Sequence, residues 1–319
     1  MHHYEPKDLS VPEVHKLLLG GVAPRPIALV STISKDGINN LSPFSFFNAF
    51  GANPPVVAFS PSRRGRDASL KDTYNNLMET GECVIQAVTH SIVEQVSLAS
   101  AEYPPDIDEF VKSGLTPIDS DLIKPKRVKE SPFQMECRLV EMKSFGEGGA
   151  SANLAICKVL KFHVSEDLFT NGIIDPLKID LVARMSGNFY TRAGLGVFVV
   201  EKPIGKKCIG YDQIPQHIRE SEIYSANDLG KFGNSESIPD KEDVNRFIQN
   251  VIKETPEGFT YADNAFLEYQ EQNDYKKMFQ AALSITENKK VNLQLTAKCA
   301  LKNNDVDFAW KVALFAGNY

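Results

Sequence analysis

Short apolar segments separated by turn residues dominate the N-terminal part of the chain. Ile27–Thr32 runs apolar into two hydroxyl residues and reads as a buried strand. Val56–Ser60, introduced by Pro54-Pro55, reads the same way, as does Cys83–Val88 after the turn at Gly81. From Phe133 the period is two: Phe133, Met135, Cys137 and Leu139 alternate with Gln134, Glu136 and Arg138. That pattern predicts a strand with one wet face. Leu154–Val164, rich in Ile and Val, predicts a further strand. Helical spacing appears first after Ser10. Ser10 supplies a cap, Pro12 suits the first turn, Glu13 sits where a capping box needs it, and Gly20-Gly21 ends the segment. Val14, Leu17 and Leu18 form its apolar face. Further helices are expected over Leu70–Thr80 and near 91–101 and 106–113. Strands outnumber helices and do not alternate with them as βαβ units. A mainly β domain of the α+β class, closed or nearly closed as a barrel, is therefore expected.

The pattern changes after Pro203. Asp240–Lys253 and Asn264–Ile285 carry helical spacing, the second through Phe266, Tyr269, Tyr275, Met278, Phe279 and Leu283. Asp305–Phe315 predicts a last helix, with Trp310 as a core residue. The expected organisation is residues 1–203 as the barrel domain and 204–319 as a mostly helical extension, whose role the sequence leaves unstated.

Composition narrows the classes. The chain has 319 residues, 42% hydrophobic and 24% charged, which is globular composition. A net charge of −6 gives no broad basic surface for nucleic acid or anionic lipid. The five cysteines are widely spaced and form no CxxC pair, which argues for free thiols in a reducing compartment. Met1–Pro6 has neither the basic start nor the apolar run of a signal peptide, and no stretch is long and apolar enough to span a bilayer. A cytoplasmic protein without membrane or nucleic-acid partners is expected. There is no P-loop, GxGxxG, GxSxG or HExxH motif; Gly146, Gly148 and Gly149 have the wrong spacing for a dinucleotide fingerprint. The six histidines show no ligand spacing on a helix face, so no metal site is expected.

Polar chemistry is concentrated in residues 24–76. Ser31 and Thr32 end one strand, and Asn40-Leu41-Ser42-Pro43-Phe44-Ser45-Phe46 follows the turn at Gly37. Arg63, Arg64 and Arg66 then precede Ser69-Leu70-Lys71-Asp72-Thr73, a helix start. Hydroxyls, a cation and a helix N-terminus are what a phosphate requires. Phenylalanines beside polar groups are what a planar heteroaromatic ring requires.

The ordered set resembles the flavin reductase-like FMN-binding domain. It is carried by Arg25-Pro26, Ser31-Thr32, Gly37 with Asn39-Asn40, Leu41–Asn48, Asn53-Pro54-Pro55 and Lys71-Asp72-Thr73 with Asn76. His163 and the Ala183-Arg184-x-x-Gly187-x-x-Tyr190 stretch add to it, with Ser186 where the family has Gly. The resemblance covers roughly residues 10–200 and implies a split β-barrel that forms a homodimer with FMN near the interface. It implies a flavin pocket of Ser31, Thr32, Asn40, Ser42, Pro43, Phe44, Ser45 and Phe46. Lys71, Asp72 and Thr73 would lie near the phosphate, with Arg184 as a further cofactor contact. No acid–base triad is required, because the flavin carries the chemistry. NADH or NADPH is the implied donor, with His163 and Tyr190 on the nicotinamide side. The acceptor is a small molecule or a protein. Two other activities remain open: an electron carrier like flavoredoxin, reduced by a partner protein, and a flavin-binding module without turnover. Bland readings stand beside these residue roles. The phenylalanines also suit a core, Ser69 and Asp72 a helix cap, the three arginines a solvated loop, His163 a hydrogen-bonded surface and Arg184 an ion pair.

Overall fold

A computed structural model of the chain describes residues 1–254 and 264–318. The chain divides into two compact units, Met1–Val199 and Val200–Tyr319. Among the described residues, no helix is long and apolar enough to cross a membrane.

The first unit opens with α1 (Val11–Gly21), where the Glu13 carboxylate accepts from the Ser10 N–H at 2.8 Å and the Ser10 hydroxyl at 2.6 Å. Strands β1 (Arg25–Pro26), β2 (Ala28–Ile33), β3 (Asn39–Phe44), β4 (Phe47–Ala52) and β5 (Pro55–Phe59) follow. Helix α2 (Asp72–Thr80) ends at Gly81, whose φ of 69° is the left-handed conformation that glycine adopts without strain. Then come β6 (Glu82–Ala87), α3 (Val93–Leu98), α4 (Glu109–Ser113), β7 (Pro117–Ile118), β8 (Arg127–Val128), β9 (Phe133–Ser144) and β10 (Asn153–Val164). The unit closes with β11 (Phe169–Thr170), β12 (Ile173–Ile174), β13 (Val182–Arg184) and β14 (Tyr190–Arg192).

Seven of these strands form one antiparallel sheet in the order β3-β2-β6-β9-β10-β5-β4. Its two edge strands, β3 and β4, are consecutive in the chain, joined by Ser45 and Phe46 alone. The sheet must therefore curl until its ends meet at that corner, yet β3 and β4 do not pair. The result is a split barrel, the architecture expected from the sequence. Ala28, Val30, Phe44, Val57, Phe59, Leu77, Cys83, Ile85, Cys137, Ala155 and Cys157 fill its interior. Burying one such aliphatic or aromatic side chain stabilises the fold by about 1.5–3 kcal/mol. Ile27, just before β2, and Leu29 within it enter a second core with Val96, Phe110 and Val128 under α3 and α4. That double burial explains why β2 reads as a continuous apolar run.

The expected wet face of β9 is corrected by the structure. Gln134 and Glu136 are buried, and only Arg138 is exposed. The segment around β7 and β8 covers this face. Gln134 Nε2 donates to the Val128 and Ser131 carbonyls at 2.7 and 2.8 Å, and Glu136 accepts from the Asp121 and Leu122 N–H groups, both at 2.7 Å.

The second unit is helical: α5 (Gln216–Arg219), α6 (Ala226–Gly233), α7 (Lys241–Glu254), α8 (Ala265–Glu271), α9 (Tyr275–Ser284), α10 (Lys289–Lys302) and α11 (Val306–Ala316). Its core gathers Phe232, Phe279, Met278, Leu293, Phe308 and Trp310. The helical spacing over 264–285 resolves into two helices, α8 and α9. Asn273 turns left-handed (φ 58°), and the Asp274 side chain then caps α9 by accepting from the Lys277 N–H at 3.1 Å.

Candidate functional site

The β3–β4 corner brings together residues from three segments. Asn40, Ser42 and Phe44 alternate along β3 and so share one face, the face toward α2. Phe44 packs on Phe59 with ring centroids 5.2 Å apart, and the Ser60 N–H donates to the Phe46 carbonyl at 2.9 Å, which holds the corner against the end of β5. Lys71 stands over the Phe44 ring, its Nζ 5.7 Å from the centroid. Burial pushes the Lys71 amine below its ordinary pKa, and the Arg64 guanidinium adds to that shift. Among the described residues, neither the Lys71 amine nor the Ser42 and Ser45 hydroxyls have a hydrogen-bond or ion-pair partner. Lys71 is also the N-cap position of α2, and no side chain caps that helix end. A half-buried ammonium, the open Ser42 hydroxyl and an uncapped helix N-terminus thus share the side that Phe44 lines, and Ser45 and Phe46 form the corner beside it. That is a donor set for an anionic group attached to an aromatic ring.

Other residues expected in the pocket are engaged with one another. The Asn40 amide donates to the Thr32 and Thr73 hydroxyls at 3.0 Å each, and the Asn76 amide donates to Thr32 at 3.0 Å. All four are buried. This network ties the start of α2 to β2 and β3, so it sets the corner's shape and leaves the side-chain donors to Lys71, Ser42 and Ser45. The Ser31 hydroxyl donates to the Lys126 carbonyl on the outer face of β2. Pro43 lies opposite Leu29 on that same outer face. Asp72 points a carboxylate at Arg64, 3.5 Å away, which neutralises a charge that an incoming phosphate would otherwise meet.

The arginine loop is built, not merely solvated. Arg63 donates to the Ala68 carbonyl at 2.9 Å, and its buried Nε has no partner. Arg64 donates to the Leu70 carbonyl at 2.5 Å and to the Ser69 hydroxyl at 3.3 Å. Arg66 is a surface ion pair with Glu102 at 3.0 Å. The loop is held by the β9–β10 hairpin: the Arg63 N–H donates to the Ser151 carbonyl at 3.0 Å, and the Asn153 amide to the Pro61 carbonyl at 3.3 Å. Gly149 of the hairpin serves this contact. A Cβ on Gly149 would lie 2.5 Å from the Gly65 carbonyl oxygen. Sequence reasoning missed two supports. The Ser60 and Ser62 hydroxyls pair at 3.0 Å beside the corner. The buried Glu109 accepts from the Leu41 N–H at 3.0 Å and blunts the β3 edge; burial raises its pKa, and Asp72 and Asp108 add to that. The serines following a strand were the available signal; nothing local marks Glu109.

Arg184 and Tyr190 lie on paired strands, and the structure joins them: Arg184 donates to the Tyr190 hydroxyl at 2.6 Å and stacks over its ring at 4.7 Å. No ion pair forms at Arg184 among the described residues. His163 is elsewhere. It sits eight positions along β10 from Ala155, roughly 25 Å at strand rise, and bonds Glu136 at 2.7 Å. Asp121, Glu136 and His163 bring ligand atoms within 4.8 Å of one another. Both Glu136 oxygens are taken by backbone N–H groups, and Asp121 is paired with Lys161, so this group knots the sheet to its covering segment.

Comparison with known proteins agrees with this geometry. The family described as the flavin reductase like domain matches residues 20–179. An uncharacterised protein of Halalkalibacterium halodurans is 37% identical over 200 residues, covering 62% of this chain and 95% of that protein. The crystal structure of nitrilotriacetate monooxygenase component B from Bacillus cereus superposes with a TM-score of 0.59 at 34% identity, over 63% of this chain and 98% of that one. A structure from Shewanella frigidimarina with a split barrel domain gives a TM-score of 0.55 at 27% identity, over 64% and 100%. The chain belongs to the flavin reductase-like family of split-barrel proteins, and its role is that of a flavin-related oxidoreductase.

Proposed function

We propose that the first unit binds FMN at the β3–β4 corner and passes reducing equivalents from NADH or NADPH to a small-molecule or protein acceptor. The observation that carries this reading is the unpartnered donor set of Lys71, Ser42 and Ser45 beside the uncapped end of α2. Bound there, FMN would supply hydride acceptance and onward electron transfer. The chain's own residues do the rest. Lys71 and the first-turn N–H groups of α2 balance the phosphate charge. Ser42 and Ser45 orient the polar edge of the ring, while Phe44 and Phe46 wall it and exclude water. The Asn40–Thr32–Thr73–Asn76 network keeps strand and helix in register around the ligand. The similarity to a monooxygenase component supports an acceptor outside this chain.

The same corner supports a homodimer with FMN near the interface. Beside it, β4 is an unpaired sheet edge with Phe50 exposed, and α1 leaves Val11, Leu17 and Leu18 uncovered. A second copy would bury this apolar strip. The test is anaerobic: the FMN-loaded protein is mixed with NADH and with NADPH, and the flavin absorption is followed. Bleaching by at least one is expected. A protein that takes up no FMN at micromolar concentration loses the site; one that binds FMN but is bleached by neither nucleotide loses the donor.

A further inference from the structure

A second hollow lies on the three-stranded sheet β1-β13-β14, away from the hydroxyls and lysine of the corner. It has a volume of about 460 Å³ and is walled by Val93, Val182, Leu195 and the Tyr190 ring. Two charged groups enter it. Arg192 is neutralised by Asp180, at 2.6 and 2.9 Å. Glu94, in the first turn of α3, has no hydrogen bond or ion pair among the described residues. His90, Ser97 and Thr191 complete the lining, so the hollow joins apolar walls to a polar side on which the exposed Glu94 carboxylate has no direct partner.

Arg184 borders it. Val182, Arg184, Tyr190 and Arg192 share one sheet face, because Arg184 faces Tyr190 and Val182 faces Arg192 across the ladder. Arg25 is the next residue in the same row, directly opposite Arg184. Two like charges opposed on neighbouring strands are unfavourable without an anion. Neither has a carboxylate partner among the described residues: Arg25 spends its donors on the Leu19, Val22 and Met185 carbonyls and keeps a buried, unpartnered Nε. The row Tyr190–Arg184–Arg25 spans two strand spacings, about 10 Å. It ends at β1, the strand that immediately precedes β2 of the barrel.

From this arrangement we infer that the hollow is the adenosine subsite of the nicotinamide donor and that Glu94 selects NADH over NADPH. The inference rests on the donor reading above. The adenine stacks on Tyr190 against Val93, Val182 and Leu195. The Glu94 carboxylate accepts from the ribose hydroxyls and repels a 2′-phosphate. Arg184, with the buried charge of Arg25 behind it, takes the diphosphate.

The test uses the full-length FMN-loaded protein. Anaerobic flavin reduction by NADH and by NADPH is timed in the wild type and in Glu94→Lys, Glu94→Gln and Arg184→Met. In parallel, calorimetry measures binding of ADP-ribose and of its 2′-phosphate. The expected results are a preference for NADH, a shift of the NADH-to-NADPH ratio by at least about ten-fold toward NADPH in Glu94→Lys, and a smaller shift in Glu94→Gln. Arg184→Met should raise the half-saturating concentration of NADH and weaken ADP-ribose. A ratio indifferent to Glu94, or an ADP-ribose affinity indifferent to both residues, overturns the inference even if both nucleotides bleach the flavin. If neither nucleotide bleaches the flavin but ADP-ribose binds and the variants weaken it, the subsite stands and the donor reading falls.

Discussion

Lys71 shows how a functional residue differs from a structural one at the scale of single atoms. The sequence marks Thr32, Asn40, Lys71 and Thr73 alike, as polar residues of one candidate cofactor pocket. Only the structure separates three that bond each other from one that bonds nothing. An ammonium buried without a partner costs the empty protein stability. Its pKa is lowered in the fold, so that cost is fully present at neutral pH and fades as pH rises through the lowered value toward the ordinary lysine range. Lys71→Met should therefore weaken FMN binding by about ten- to a hundred-fold, the cost of losing a charge-assisted contact. The same change should hold or raise the melting temperature of the flavin-free protein and remove its alkaline gain in stability. Flavin titration and pH-dependent melting of both proteins check this; a variant with lower apo stability and unchanged FMN affinity would make Lys71 a structural residue.

At the scale of elements, legibility followed burial symmetry. Strands with two dry faces (β2, β5, β6) and the capped α1 could be read directly, because their patterns have one physical cause. The β3 and β4 strands were visible as chemistry and not as strands, since Pro43, Gly51 and the serines are poor strand formers held there by their neighbours. Helix α10 was missed because it is buried on nearly every side, through Leu293, Gln294, Thr296, Ala297, Cys299 and Ala300, which erases the amphipathic signal. The wet-face reading of β9 failed because alternation reports polarity, and Glu136 is a polar residue paired indoors. Burial alone would raise its pKa. The Asp121 N–H, His163 and Leu122 N–H hydrogen bonds outweigh that and hold it below the ordinary glutamate value. Its contribution to stability is then complete above the ordinary value and lost as pH falls through the lowered one. Glu136→Gln should cost about 1–3 kcal/mol in urea unfolding near neutral pH. The gap between variant and wild type should close only as pH falls below the ordinary glutamate range and the wild-type carboxylate gains its proton. A gap that persists unchanged into acid would show that shape, and not charge, is what Glu136 supplies.

For the whole molecule, the family match ends at residue 179, inside the first unit, and the barrel accounts for the chemistry. The second unit has its own apolar core and no described cluster of ligand-type side chains, which is why its sequence showed helices and nothing of their use. Its core holds the only tryptophan of the chain. Trp310 is buried, packs on Phe232 with centroids 4.6 Å apart, and donates to the Ser235 hydroxyl at 2.9 Å. Tryptophan emission therefore reports the helical unit, while flavin absorption and release report the barrel. A ligand that binds only the folded barrel stabilises it in proportion to the logarithm of its free concentration. If each core melts as its own cooperative unit, denaturant titration of the full chain should give a flavin-release midpoint that rises as FMN is added in excess. The Trp310 midpoint should stay where it was. Equal movement of both midpoints would mean that the two cores unfold as one.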